Sequence, residues 1–367
     1  MELTERQSIY LLIICSLATK VQTLPSLIAG DLGRFGWLYF LVLGVIDVLF
    51  VLLALYINNM ANGKTLYEML EVTIGRLGAK IVSILFAGYF IFSAILPYEA
   101  LHNVFANILF EDLSWPLFSI LLVLAVFYLG SRGLKTIGRV SELYFRIIAI
   151  CFIALLAISF STASLNRLLP LRELNVGTFA LTSFNYSFWF GDFLLVLMFM
   201  GKVKQSKKLP LKMSLAFICE IILIVIAYII FYGIYGNLTL YQNNMITDIS
   251  EFSLLNLEIG RLDWFLMLGV QTSTIIACAV DIYLASYNFA KVFDIKKSYK
   301  VTIFAVAIVY LLDVFVFKNI TNSAVVVSSI SRWVALAVQY VLPIFILIVA
   351  VCYARKRNRG GEHVELF

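Results

Sequence analysis

Apolar residues run along this chain in long blocks separated by short polar punctuation. A helix that crosses the hydrocarbon of a bilayer needs roughly 20 such residues. Reading the blocks at that length predicts ten spans, at 9–30, 36–58, 80–108, 115–130, 140–161, 179–201, 212–236, 263–289, 300–317 and 330–354. The stretch "LYEMLEVTIGRLGA" at 66–79 is short and charged, which predicts an amphipathic helix lying at the membrane surface. The longest connection, 237–262, has room for one more short helix.

Two of the blocks are interrupted where hydrocarbon should be driest. The first reads "SLATKVQTLPSLIAG", with Lys20 about 12 residues into the span, or about 18 Å at 1.5 Å per residue, near the midplane. Pro25 lacks a backbone donor and clashes with the carbonyl of Val21, so the helix should kink or unwind around "VQTLPS". The sixth reads "TSFNYSFWFGDFLLVLMFMG", with Asn185, Ser187, Gly191 and Asp192 at a comparable depth. Five crossings separate the two starts, so these spans run in opposite directions. That is the arithmetic of an inverted five-plus-five repeat whose broken helices expose backbone groups to a solute at the midplane. The expected organisation is a single membrane domain over 1–367, with one repeat at about 9–161, a second at about 179–354 and a basic tail at 355–367.

Composition agrees with the pattern. Of 367 residues 62% are hydrophobic and 14% charged, and the mean hydropathy is +0.96, which excludes an ordinary soluble domain. The first block is too long and interrupted for a cleaved signal peptide and is expected to be retained. Twenty of the 28 Lys and Arg residues fall at the N-terminus, in the connections after spans two, four, six and eight, and in the tail. This asymmetry predicts that both termini are cytoplasmic. The net charge of +6 is thereby accounted for by topology, without nucleic acid as a partner. The five cysteines lie in five different apolar blocks and read as small hydrophobic side chains. With two histidines, and no metal motif, phosphate loop or nucleophile elbow, the sequence points to no metal, no cofactor and no enzyme activity.

Several polar groups remain inside the spans. Lys20 reads either as half of a structural ion pair or as a proton-sensitive, cation-mimicking group beside a solute cavity. In "PYEALHN" of span three, Tyr98, Glu99, His102 and Asn103 share one wide helical face, a candidate cavity wall on which Glu99 can meet Lys20 or a ligand amine. Glu142 and Arg146 in "GRVSELYFRI" are spaced i, i+4 and read as a self-neutralising pair. Span eight, "GVQTSTIIACAVDIY", offers Gln271 and Asp281, while Asp47 and Asp313 are isolated acids with no assignable partner.

Nearly end to end, the chain resembles the B subunits of the GerA-type spore germinant receptors, a branch of the amino acid/polyamine/organocation transporter superfamily. The resemblance rests on "TERQ" followed by "LPSLIAGDLG", on "GKTLYEMLEVTIGRLGAKI", "LPYEALHNVF" and "GLKTIGRVSELYF", and on "NYSFWFGDFLLVLMF", "GRLDWF" and "YLASYNFAKVF", in that order. It implies an all-α, LeuT-like fold with broken helices 1 and 6. It also implies a role in sensing a small nutrient such as an amino acid, with an A subunit and a lipoprotein C subunit, in the spore inner membrane. The ligand-site positions it implies are Thr23 and Ser26, Tyr98 and Glu99, Asn185, Tyr186 and Ser187, and Gln271 and Thr272. Lys20, Glu99 and Asp192 are, by their own chemistry, the candidate proton or ion-pair groups. Lys20 and Gln22 stand where small apolar residues are expected, and Asp192 where glutamate is expected. The alternative reading is a self-sufficient proton-coupled permease for amino acids or amines.

Overall fold

A computed structural model of the chain describes residues 3–108, 115–169, 174–203, 206, 208–255, 262–295, 298–315 and 330–359. The described residues are helical almost throughout. In order they form α1 Glu5–Lys20, α2 Leu24–Leu32, α3 Gly36–Ala61, α4 Leu66–Ile108, α5 Trp115–Ser131, α6 Leu134–Phe160 and α7 Val176–Asn185. There follow α8 Asp192–Met198, α9 Leu209–Tyr235, α10 Met245–Leu255, α11 Leu262–Val292, α12 Ser298–Phe315 and, after a π-helical turn over Ala335–Val341, α13 Leu342–Arg359. Each of the ten predicted spans coincides with helix, the first and sixth each being divided in two. Six helical segments among the described residues are long and apolar enough to cross a membrane. The end of span nine, Lys318 and the tail beyond Arg359 lie outside the described residues.

Local chemistry sets several boundaries. Thr4 and Gln7 exchange side-chain and backbone hydrogen bonds in a capping box that starts α1. Thr65 and Glu68 repeat the arrangement at the start of α4. Gly75, at φ 81°, breaks α4 between its amphipathic first two turns and the long apolar remainder. The surface helix read at 66–79 therefore ends four residues earlier, and span three starts earlier than Lys80. The helix expected in the 237–262 connection is α10.

In lipid, apolar side chains gain little by leaving the hydrocarbon, so close packing and interhelical hydrogen bonds decide which faces turn inward. On α9, Leu211, Leu215, Ile218, Ile222 and Ile226 form an exposed stripe, while Met213, Phe217, Glu220 and Ile224 are buried on the other side. Helix α8 is buried at all seven residues, and after Asp192, which opens it, all are apolar. Of the divided pairs, α1 and α8 occupy the middle of the molecule: α1 packs against α6, α8, α9 and α11, and α8 against α3, whereas α7 buries only Thr182. Helix α11 also packs against α4, α5 and α12, so both breaks are enclosed by helices of both repeats.

Candidate functional site

Helix α1 stops at Lys20. The N–H of Val21 still bonds the Leu17 carbonyl at 3.2 Å, residues 21–23 form a turn, and α2 restarts with Pro25 in its first turn, where the missing donor costs nothing. The unwinding predicted around "VQTLPS" is therefore present. Gln22, inside the turn, donates to Gln271 Oε1 at 3.0 Å and to Thr274 Oγ1 at 2.9 Å, while its own Oε1 accepts from Gln271 and Asn244. Its carbonyl receives the N–H of Met245 at 3.0 Å. One glutamine thus ties the first break to α10 and α11.

The second break runs from Tyr186 to Gly191, with a short 3-10 turn over Ser187–Trp189. Gln339, carried on the π-helical turn, donates to the Phe188 carbonyl at 2.7 Å and to the Tyr89 hydroxyl at 2.9 Å. Both Gln339 and Tyr89 lie against the Cα of Gly191, in the space a side chain there would occupy. A π-turn inside a membrane helix often marks a functional position. Here it presents the side chain that holds the break open.

Lys20 joins the two breaks. Its ammonium donates to Asp192 Oδ2 at 2.5 Å, Asp47 Oδ2 at 3.0 Å and Ser16 Oγ at 2.7 Å, and lies 4.6 Å from the centre of the Phe190 ring. An ammonium has three protons, and all three are placed. Lys20 and Asp47 are each 1% exposed. Asp47, which has no assignable partner in the sequence, is the second anchor. Glu220 from α9 is also buried, with the Ser16 hydroxyl as its hydrogen-bonding neighbour.

Beside this cluster is a cavity of about 30 Å³, the size of two or three water molecules. Thr19 of α1, Tyr89 and Ser93 of α4, Trp189 of the second break, Asp192 of α8 and Asp281 of α11 all line it. Asp192 is the shared wall, facing the cavity while binding Lys20. Asp281 is 6% exposed, has the Ser93 hydroxyl as its hydrogen-bonding neighbour, and forms no ion pair among the described residues.

The residues implied by resemblance fare differently. Asp192 lines the cavity and Lys20 backs it. The Tyr98 hydroxyl instead donates to the Ser119 carbonyl at 2.7 Å, and the Ser119 hydroxyl donates to Asp313, so Tyr98 faces α5 and α12. Glu99 is buried, and Lys20 takes its carboxylates from α3 and α8 instead. Asn185 accepts from Arg332 at 3.1 Å. The Tyr186 carbonyl accepts from Tyr39 at 2.9 Å, and Ser187 bonds back to Phe184 at 3.0 Å. Gln271 is committed to Gln22, and Thr272 to the Gly269 carbonyl at 2.7 Å. Thr23 is half-buried with no capping bond, and the buried Ser26 hydroxyl has no partner. Glu142 pairs with Gln7 at 2.9 Å and Arg6 at 4.0 Å, not with Arg146 as the i, i+4 spacing suggests. Tyr89 and Ser93 lie on α4 one to two turns before the "PYEALHN" stretch. Their i, i+4 spacing and their depth near the middle of 80–108 are visible in the sequence, but an apolar span does not mark which of its faces turns inward.

On the side of the N-terminus, further contacts tie the start of the chain to residues 202–212. Leu3 donates to the Lys202 carbonyl at 2.7 Å and bridges to Val203, and Lys212 pairs with Glu5 at 2.8 Å. The Lys202 ammonium lies 3.3 Å from the centre of the Tyr287 ring, without a hydrogen-bond partner. Burial, reinforced by Lys291, pushes its pKa down to about 7. On the opposite side Asp31 accepts from Thr182 at 3.1 Å, and Tyr228 donates to the Gly33 carbonyl at 2.6 Å.

The family model for spore germination proteins matches residues 2–323. Spore germination protein A2 of Bacillus subtilis (strain 168) is 24% identical over 288 residues, covering 75% of this chain and 76% of that protein. Spore germination protein B2 of the same strain is 26% identical over 309 residues, 81% of each chain, and spore germination protein YndE 23% identical over 373 residues, 98% of each. Among solved structures, MhsT in complex with L-phenylalanine superposes with a TM-score of 0.64 at 13% identity, covering 96% of this chain and 100% of that one. Mhp1, a nucleobase-cation-symport-1 family transporter in a closed conformation with bromovinylhydantoin, gives 0.60 at 14% identity, covering 96% and 90%. These likenesses identify the LeuT fold with its inverted repeat.

Proposed function

The chain belongs to the spore germination protein family, and from that premise we propose that it is the membrane subunit of a spore nutrient-germinant receptor. It is an integral membrane protein with a transporter fold. In this reading it resides in the spore inner membrane with both termini cytoplasmic and works with an A subunit and a lipoprotein C subunit. Its two repeats, at about 9–161 and 179–354, enclose the ligand. A small nutrient bound in the cavity shifts a conformational equilibrium that the partner subunits read.

The observation that carries this reading is the cavity beside the second helix break. It is walled by α1, α4, α8 and α11, and Asp192 connects it directly to Lys20 at the first break. A ligand there touches both repeats, as it must if it is to prefer one arrangement of them over another. MhsT, of the same fold, was solved with L-phenylalanine bound. The test is germination of spores from a deletion strain, and from a strain carrying Asp281→Asn, against single nutrients and followed by optical density. Loss of response to one nutrient class in both strains supports the receptor role. A normal response in both removes it.

A second reading, a self-sufficient proton-coupled permease, is favoured by one observation: Lys20, Asp47, Asp192 and Glu220 place one cation among three buried carboxyls. Such intramembrane clusters serve as proton relays in transporters. Concentrative uptake by proteoliposomes driven by a pH gradient would decide for it.

A further inference from the structure

Two acids and, among the described residues, no cation line the cavity, and that asymmetry specifies a ligand. Asp192 and Asp281 both line the cavity. Lys20, the cation that reaches Asp192, has all three of its protons committed to Asp192, Asp47 and Ser16. Among the described residues no Lys, Arg or His lines the cavity, and Asp281, only 6% exposed, has no cationic partner there. A ligand carboxylate would enter a space with two acids and no free cation. An uncharged ligand would leave Asp281 as it is. A ligand carrying its own positive charge supplies what the site lacks.

Shape and wall chemistry narrow the class further. About 30 Å³ accommodates two or three non-hydrogen atoms. Tyr89, Phe90, Phe188 and Trp189 supply aromatic walls, which attract a compact cation, and Thr19 and Ser93 supply hydroxyl acceptors.

We propose that this cavity takes a small primary ammonium, held between Asp192 and Asp281. The proposal rests on the reading of the cavity as the ligand site and narrows its substrate class. It also gives binding a consequence. Asp192 serves Lys20 and the ligand at once, so an incoming ammonium draws Asp192 away from Lys20 and weakens the tie between α1 and α8. The ligand then favours an arrangement in which the two breaks are separated, which is the differential affinity a conformational signal needs.

The experiment uses the full chain purified in detergent, with methylammonium chloride as the probe and thermal melting as the readout. Methylammonium is expected to shift the midpoint saturably. Tetramethylammonium, which lacks donors and exceeds the cavity, sodium chloride at the same ionic strength, and glycine are expected to leave it in place. Asp281→Asn should weaken the apparent affinity about tenfold or more, the loss expected for one charge-assisted hydrogen bond. Should that variant fail to fold, Ser93→Ala and the four-probe comparison in the wild-type chain decide the same question. A shift with glycine but not methylammonium overturns the proposal and leaves the cavity as a ligand site. An equal shift with tetramethylammonium, no shift with methylammonium, or an unchanged affinity in Asp281→Asn also overturns it. The germination response of Asp281→Asn spores judges the receptor reading separately.

Discussion

Lys20 and Asp192 are 172 residues apart in the chain and 2.5 Å apart in the fold. One closes the helix before the first break, and the other opens the helix after the second. Their pairing makes the two discontinuous helices a single mechanical unit, with Asp47 of α3 as the third member.

Removing the cation while leaving both carboxylates buried should destabilise the chain severely. Lys20→Met is expected to cost about 3–5 kcal/mol, the range for breaking a buried pair by deleting one partner. The melting midpoint in detergent checks it, and Lys20→Met with Asp192→Asn should recover part of the loss. A single variant that melts like the wild type would show that the pair contributes nothing to stability.

Gly191 is expected to tolerate no side chain. A Cβ there would overlap the Gln339 amide and the Tyr89 hydroxyl. Overpacking of this kind costs about 1–3 kcal/mol, and here it also displaces the hydrogen bonds that hold the second break. Gly191→Ala should therefore lower the melting midpoint, and Gln339→Ala combined with it should lower it by less than the two single changes added together. Simple additivity would mean the two residues do not share the space.

Lys202 makes stability rise with pH. Its pKa is lowered from 10.5 to about 7 in the fold. Below about 7 the residue is charged in folded and unfolded chains alike, and the folded chain bears the full cost of burying it. Above 7 the folded chain releases a proton that the unfolded chain keeps until near 10.5, so stability grows across that interval. Lys202→Met should melt higher than the wild type at pH 6.5, with the difference shrinking toward pH 9. Glu68, Lys291, Tyr283 and Tyr287 surround it and are left intact. A constant difference across pH would assign the effect to packing alone.

Asp248, on α10 and outside the spans, works in the opposite direction. Burial raises its pKa from 3.8 to about 6 despite the hydrogen bond it accepts from the Asn244 N–H at 3.0 Å. Between those values the folded chain holds a proton that the unfolded chain has released, so stability increases as pH falls through about 6. Asp248→Asn should remove that increment, flattening the melting midpoint between pH 7 and 5 relative to wild type. An unchanged profile would show that Asp248 titrates normally.

Much of this architecture is legible without coordinates. The lengths of the apolar blocks define the spans, because a helix in hydrocarbon satisfies its own backbone and must be long enough to reach water at both ends. Pro25 and the "NYSFWFGD" stretch announce the two breaks, since each places groups there that a continuous apolar helix would not carry. The opposite sense of spans one and six follows from counting, and a buried lysine requires an acid somewhere.

Which acid, and which face of each helix, belongs to the tertiary structure alone. Tyr98 and Tyr89 sit on one helix, nine positions apart, yet one bonds Ser119 and the other lines the cavity. An apolar block has no strong periodicity, because its outer face meets lipid as apolar as its inner face, so rotation about the helix axis is unmarked in the sequence. The start of α4 at Leu66, its break at Gly75 and the π-turn that aims Gln339 set depth and rotation instead. The partners of Lys20 come from α3 and α8, and Asp281 meets the cavity only because α11 packs against α1 and α4. Local physics determines that a helix spans and where it breaks; the packing of helices distant in sequence determines which side chains meet at the break.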